Sequence, residues 1–124
     1  MSEILHIDGR TSALRIRPAR TWWRRAIGLL ATPALEDPCG LWIEPCHSVH
    51  TIGMRYAIDL AFLDRDGRIL KLVPRLGPWR AAACRGARST LELRAGLAAE
   101  LGLTRGMQLK LLASHQVLVP PRPA

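Results

Sequence analysis

Ala57-Ile58-Asp59-Leu60-Ala61-Phe62-Leu63-Asp64-Arg65-Asp66-Gly67-Arg68-Ile69-Leu70-Lys71-Leu72-Val73 is the stretch whose reading decides the fold. From Ala57 to Leu63 it is a nearly continuous apolar run that one charge, Asp59, interrupts. It reads as a strand whose other side chains want burial. Asp64-Arg65-Asp66-Gly67 is the strongest turn in the chain, because Asp and Gly take the backbone conformations a tight reversal needs. Arg68 to Val73 is then the returning strand, and the whole is a hairpin.

Towards the N-terminus, Leu41–Ile43 and Ser48–Ile52 are β-favourable and separated by Pro45, and segments 47–52 and 58–63 are expected to pair across Gly53–Ala57. Earlier still, Leu5 and Ile7, an Asp8-Gly9 turn, then Leu14 and Ile16 predict a first hairpin, which Pro18 is expected to stop. Thr21 can cap a helix over Trp22–Leu30, with Trp23, Ile27 and Leu30 on one side, and Pro33 and Pro38 end it. Towards the C-terminus, Pro74–Gly86 reads as a long loop of the kind that often carries function. Ser89–Leu93 is a strand, Ala95–Leu101 a short helix ended by Gly102, and Met107–Ala113 and Gln116–Val119 are closing strands. Many short strands with turns between them predict a mainly β fold, a β-sandwich or barrel with one or two short helices, and disfavour a parallel α/β architecture.

The 124 residues fit one domain, expected over 1–119 with a Pro-rich tail at 120–124. No apolar run approaches the ~20 residues of a membrane helix, and Met1–Asp8 carries two acids and no apolar signal core, so the cytoplasm is the default compartment. The net charge of +8 comes from Arg residues scattered from Arg10 to Arg122. A nucleic-acid surface would concentrate them, and the tightest group, Arg15 to Arg25 beside Trp22 and Trp23, is read as solvated surface, so no nucleic-acid partner is expected. Cys39, Cys46 and Cys84 cannot all pair within one chain, and the spacing of Cys39 and Cys46 is too wide for a zinc knuckle.

Cys46-His47-Ser48-Val49-His50-Thr51 invites a metal or nucleophile reading. Alternation on a strand weakens it, since Cys46, Ser48 and His50 would share one face while His47, Val49 and Thr51 share the other. No metal or other cofactor is expected. Asp59 is more informative, because a carboxylate in an apolar strand needs a partner or a cleft. The expected pairing puts His50 roughly opposite Asp59 or Leu60, where a carboxylate would orient an imidazole for acid/base work. The structural alternative is that Asp59 only pins the hairpin. Arg55, Arg80 beside Trp79, and Glu92 are further candidates for the same site, an Arg beside an aromatic being suited to a planar anion. Cys84 beside Arg85 has no assignable base and is a poor nucleophile candidate.

These motifs also occur in a fixed order. Arg25-Ala26-Ile27-Gly28-Leu29-Leu30, Gly40-Leu41-Trp42-Ile43, His50-Thr51-Ile52-Gly53-Met54-Arg55, Ile58 to Asp64, Asp66-Gly67-Arg68-Ile69, Leu91-Glu92-Leu93-Arg94-Ala95-Gly96 and Gly102–Gly106 make the chain similar to the domain of unknown function 192 family over about 25–109. The chain departs from that family's pattern where His50–Met54 stands for Trp-Met-Lys-Asn-Thr, Ala57 for a Pro, and Gly106-Met107 for Gly-Asp. A site built on the family's Lys or Asn would be absent here, while Asp59 and Glu92 carry over. The resemblance implies a compact β-sandwich or jelly-roll-like body covered by a helix at Arg25, and no established activity. Many relatives look exported.

The expectation is a non-catalytic module in which a cleft edged by His50, Arg55, Asp59, Trp79, Arg80 and Glu92 receives a small polar ligand or a peptide segment. The rival is a hydrolase-like enzyme using His50 and Asp59, metal-assisted through Cys46. A third reading makes Trp22 and Trp23 the anchor of an accessory protein docking on a larger assembly.

Overall fold

The computed structural model describes residues 3–19 and 39–113. The expected helix over Trp22–Leu30, with its two tryptophans, and the strand and tail after Ala113 lie outside those residues. The hairpin at the centre forms as its sequence predicts. Strand β5 (Ile58–Leu63) pairs antiparallel with β6 (Ile69–Leu76), Leu63 opposite Ile69. In the turn, Asp64 Oδ1 accepts the N–H groups of Asp66 at 2.8 Å and Arg68 at 2.9 Å. Gly67 takes φ +82°, a left-handed conformation. A Cβ there would also collide with the Leu109 carbonyl oxygen.

That close approach is architectural. Among the described residues the remaining strands are β1 (Glu3–Ile7), β2 (Arg10–Ala19), β3 (Cys39–Ile43), β4 (Ser48–His50), β7 (Ala81–Ala83), β8 (Ser89–Arg94) and β9 (Leu109–Ala113), with one short helix, α1 (Leu97–Glu100). Seven strands form one mixed sheet in the order β6-β5-β8-β3-β2-β1-β9. Its two edge strands meet at one end. Leu109 N–H donates to Gly67 C=O at 2.8 Å and Ile69 N–H to Met107 C=O at 2.9 Å, while Arg68 and Gln108 form a single bridge. The sheet is thus strongly curled without being a closed barrel.

The Asp8-Gly9 hairpin also forms, with φ of 48° and 81° at its two central residues, as a two-residue turn between right-twisted strands requires. Pro18 does not stop β2. Glu3 opposite Ile16 is the last described pair between β1 and β2, so Pro18 lies where no β1 residue needs its missing N–H, and β2 runs on beside β3 with Pro18 opposite Trp42. The β2–β3 pair is parallel, and residues 20–38 supply the dozen or more residues that such a connection needs.

A larger difference concerns β4. It does not pair with β5 but with β7, in a separate two-stranded sheet. Both edges of β5 are taken, by β6 and β8. All six β5 side chains are buried, whereas β4 buries only Val49. The apolar strand therefore takes an interior position in the large sheet and the short one is left outside it. The segment expected as a loop over Pro74–Gly86 holds the end of β6 and all of β7.

Residues directly opposite one another share a face, so register divides the core. Leu5, Ile16, Leu63, Leu91 and Leu93 pack with Leu97 and Ala98 of α1 on one face. Ile58, Leu60 and Phe62 pack on the other with Val49, Met54 and the half-buried Ala82, so the β4–β7 sheet covers that face in sandwich fashion. Each large apolar side chain wholly removed from water here contributes about 1.5–3 kcal/mol.

Candidate functional site

Asp59 is 1% exposed, and both of its oxygens are hydrogen-bonded. Ile58 pairs with Leu76 and Leu60 with Val73, so β6 places two residues, Pro74 and Arg75, against one on β5. This is a bulge. Pro74 has no N–H to place, and Arg75, at φ 49°, donates its own to Asp59 Oδ1 at 2.9 Å. The second oxygen, Oδ2, accepts Gly96 N–H at 3.0 Å and Ala98 N–H at 2.9 Å at the start of α1. Asp59 thus ties the bulge of one strand to the first turn of a helix, supplying acceptors that a short helix lacks.

Glu92 lies on the opposite face. On β8 it stands opposite Leu41 of β3 and Leu60 of β5, while Asp59 stands opposite Leu93. Glu92 is 2% exposed, and its Oε1 has no hydrogen-bond partner among the described residues. Burial pushes its carboxyl up to about 8, so the neutral acid prevails at neutral pH. Tyr56 is raised too, by burial first and then by the neighbouring Glu92 charge. The two carboxyl groups therefore share no cleft.

The other candidates gather at the surface around a residue that strand patterning gave no reason to single out. Thr51 is fully buried. Its N–H donates to Arg80 C=O at 2.8 Å, and its C=O accepts from Trp79 at 3.0 Å and from Met54 at 3.1 Å. Its hydroxyl donates to Gly77 C=O at 2.6 Å and accepts Arg80 N–H at 2.8 Å. One threonine thus clamps the 77–80 turn to the end of β4. The clamp brings His50, Trp79 and Arg80 together, and Arg55 follows in the next turn. All four are exposed.

Trp79 is 67% exposed and the next residue after Thr51, Ile52, is 51% exposed; they are the large hydrophobic residues left open among those described. Trp79 also holds φ 60°, a conformation uncommon for a bulky side chain. Charge adds a signal that was available in the sequence. No acid occurs between Asp66 and Glu92, whereas Arg68, Lys71, Arg75, Arg80, Arg85 and Arg88 do.

The expected His50–Asp59 pair is not formed, because it depended on β4 pairing with β5. Cys46 and Cys84 are half-buried thiols, with Cys46 Sγ donating to Ser48 C=O at 3.2 Å. Among the described residues no group of three or more His, Cys, Asp or Glu side chains is placed to hold a metal ion. No described helix is long and apolar enough to cross a membrane. An open depression of about 850 Å³ lies beside the β5–β6 turn, lined by Glu44, Asp64, Arg65, Asp66 and Arg88, away from Trp79.

Two solved structures share this fold. A protein from Sinorhizobium meliloti 1021, described as a candidate transcription regulator, is 21% identical with a TM-score of 0.78, over 90% of this chain and 94% of its own. A protein of unknown function from Novosphingobium aromaticivorans DSM 12444 is 22% identical with a TM-score of 0.74, over 88% of this chain and 83% of its own. No curated protein matches the sequence. The profile of the DUF192 family, described as "Uncharacterized ACR", matches residues 3–111, and the chain belongs to that family.

Proposed function

We propose that the protein is a binding module and that its contact surface is the loop pair organised by Thr51, with Trp79 as the anchor, His50, Arg55 and Arg80 around it, and a peptide segment carrying acidic side chains as the ligand. The observation that carries this reading is the Thr51 clamp, which fixes Trp79 in a strained, exposed position. An indole held exposed at a rigid turn keeps its apolar area available, to be buried when a partner docks, and Trp and Arg are the residue types that dominate binding energy at interfaces. The acid-free interval from Gly67 to Leu91 supplies the sign of the partner's charge.

Catalysis is disfavoured on the same geometry. Asp59 has committed both oxygens to main-chain donors, Glu92 is enclosed, and His50 has no carboxylate partner among the described residues. A general base needs a proton within hydrogen-bond reach and an orienting group behind it.

Fluorescence anisotropy of a labelled peptide alternating Glu and Val tests the reading. Binding is expected, weakened about tenfold or more by Trp79→Ala and by Arg80→Ala, a loss of about 1.4 kcal/mol or more. Equal binding by both variants would overturn it. So would tighter binding of a single-stranded oligonucleotide of matched charge, the arm that the regulator description of the Sinorhizobium protein makes worth including.

A further inference from the structure

We infer that the acidic segment binds by adding itself as a strand to the open edge of β7; this rests on the surface proposed above and specifies its mode. Thr51 N–H donates to Arg80 C=O and Cys84 N–H to His47 C=O. With Val49 opposite Ala82, antiparallel alternation turns the main-chain groups of Arg80, Ala82 and Cys84 towards β4 and those of Ala81 and Ala83 away from it. Among the described residues β7 has no second partner strand. Ala81 N–H, Ala81 C=O and Ala83 N–H are therefore presented outward, on residues that are themselves exposed.

The side chains fit this use. Alanine at 81, 82 and 83 puts no bulky side chain of β7 in the way of another backbone at the distance of about 4.8 Å at which strands pair. Trp79 stands just before the strand, where an added peptide would pass it. The remaining outward acceptor, Ala83 C=O, is held by Lys71 Nζ at 2.9 Å. A lysine on an edge blocks pairing between two copies of one protein. Here it also sets a cation beside the incoming strand, with Arg80 and Arg85 flanking, so the occupant is an extended acidic peptide rather than a second copy of this basic chain. Backbone pairing supplies affinity and alternate side chains supply selection, as in other cases of strand addition.

Residue-resolved amide hydrogen exchange on the full chain, with and without the Glu-Val peptide, tests the mode. Exchange at Ala81 and Ala83 is expected to slow at least tenfold on saturation while Ala82, already bonded to β4, is unchanged. Ala83→Pro removes an outward N–H without touching the β4 ladder and should weaken the peptide about tenfold with the melting temperature retained; should that variant unfold, the exchange result still decides. If the peptide binds and responds to Trp79→Ala but Ala81 and Ala83 exchange as before, strand addition is wrong and the Trp79 surface stands. If the peptide does not bind at all, both are wrong.

Discussion

Asp59 and Glu92 sit on neighbouring strands, one register position apart, each a carboxyl group buried in apolar surroundings, and they have opposite fates. Asp59 has three main-chain N–H groups on its two oxygens; Glu92 has an oxygen with no partner among the described residues and a pKa pushed up to about 8. The cause is the backbone each one meets. Asp59 lies beside a bulge and a helix start, two places where N–H groups lack ladder partners. Glu92 lies in the middle of β8, which β3 and β5 pair on both sides in unbroken register, so the ladders engage the main-chain donors around it. A carboxylate in an apolar strand is thus not a site in itself, and what it does depends on local donors.

Breaking the first half of that contrast should give the largest effect. Asp59→Ala leaves the N–H groups of Arg75, Gly96 and Ala98 without acceptors, at about 1–3 kcal/mol for each that water cannot reach. A loss of about 3–5 kcal/mol in urea denaturation is expected, with α1 and the β6 bulge losing hydrogen-exchange protection first. A loss under about 1 kcal/mol would mean that water replaces the carboxylate easily.

Glu92 should behave in the reverse sense. Its folded pKa lies above the unfolded value of 4.5, so between about 4.5 and 8 the native state holds more protons than the unfolded one. Stability attributable to Glu92 is complete below pH 4.5, falls as pH rises towards 8, and is flat above that, with a slope of at most about 1.4 kcal/mol per pH unit. Glu92→Gln abolishes this component. The variant and the native chain should be nearly equal at pH 4, and the variant more stable by a few kcal/mol at pH 9, measured by denaturant titration at both values. Parallel profiles would show that Glu92 ionises freely in the fold.

Thr51 extends the comparison from charge to a neutral group and should give a smaller effect. Thr51→Val keeps the shape and removes the hydroxyl that serves Gly77 C=O and Arg80 N–H. A loss of about 1–2 kcal/mol is expected, confined to the 77–80 turn, with Trp79 moving to a more mobile emission state. An unchanged exchange rate at Arg80 N–H would show that the main-chain bonds alone hold the turn.

The same contrast explains which features were legible in the sequence. The β5–β6 hairpin and the Asp8-Gly9 turn were, because their signals are local: a polar reversal between apolar runs, and an Asp-Gly pair that accepts left-handed backbone. That Asp59 needs a partner was equally legible, since it follows from the cost of burying charge. Its partners were not, because Gly96 and Ala98 are remote in sequence and present main-chain groups that no side-chain pattern advertises. The β4–β7 pairing was hidden for a related reason. Proximity in sequence favours pairing Ser48–His50 with Ile58–Leu63, but β8 competes for the same edge with five buried residues against one for β4. The role of Thr51 was not legible because it lies in bonds to a turn far along the chain, while the Gly67–Leu91 absence of acids is visible only when the charges are read for sign by interval rather than by total.

The smallest expected effect on stability belongs to the residue with the largest expected effect on binding. Trp79 contributes little buried area, being two-thirds exposed, and its backbone at φ 60° is held by the hydrogen bond from its own N–H to Thr51 C=O, which any non-proline residue at 79 retains. Trp79→Ala should therefore change stability by no more than about 0.5 kcal/mol, the usual range for exposed positions, while the peptide affinity falls about tenfold or more. Asp59→Asn provides the opposite pattern in the same pair of assays: stability falls, and the peptide affinity of the folded fraction is unchanged. If Trp79→Ala instead destabilises the fold by 2 kcal/mol or more with affinity intact, the indole is a structural brace for the turn, and the division between interior carboxylates that fix the fold and a surface aromatic that meets a partner no longer holds.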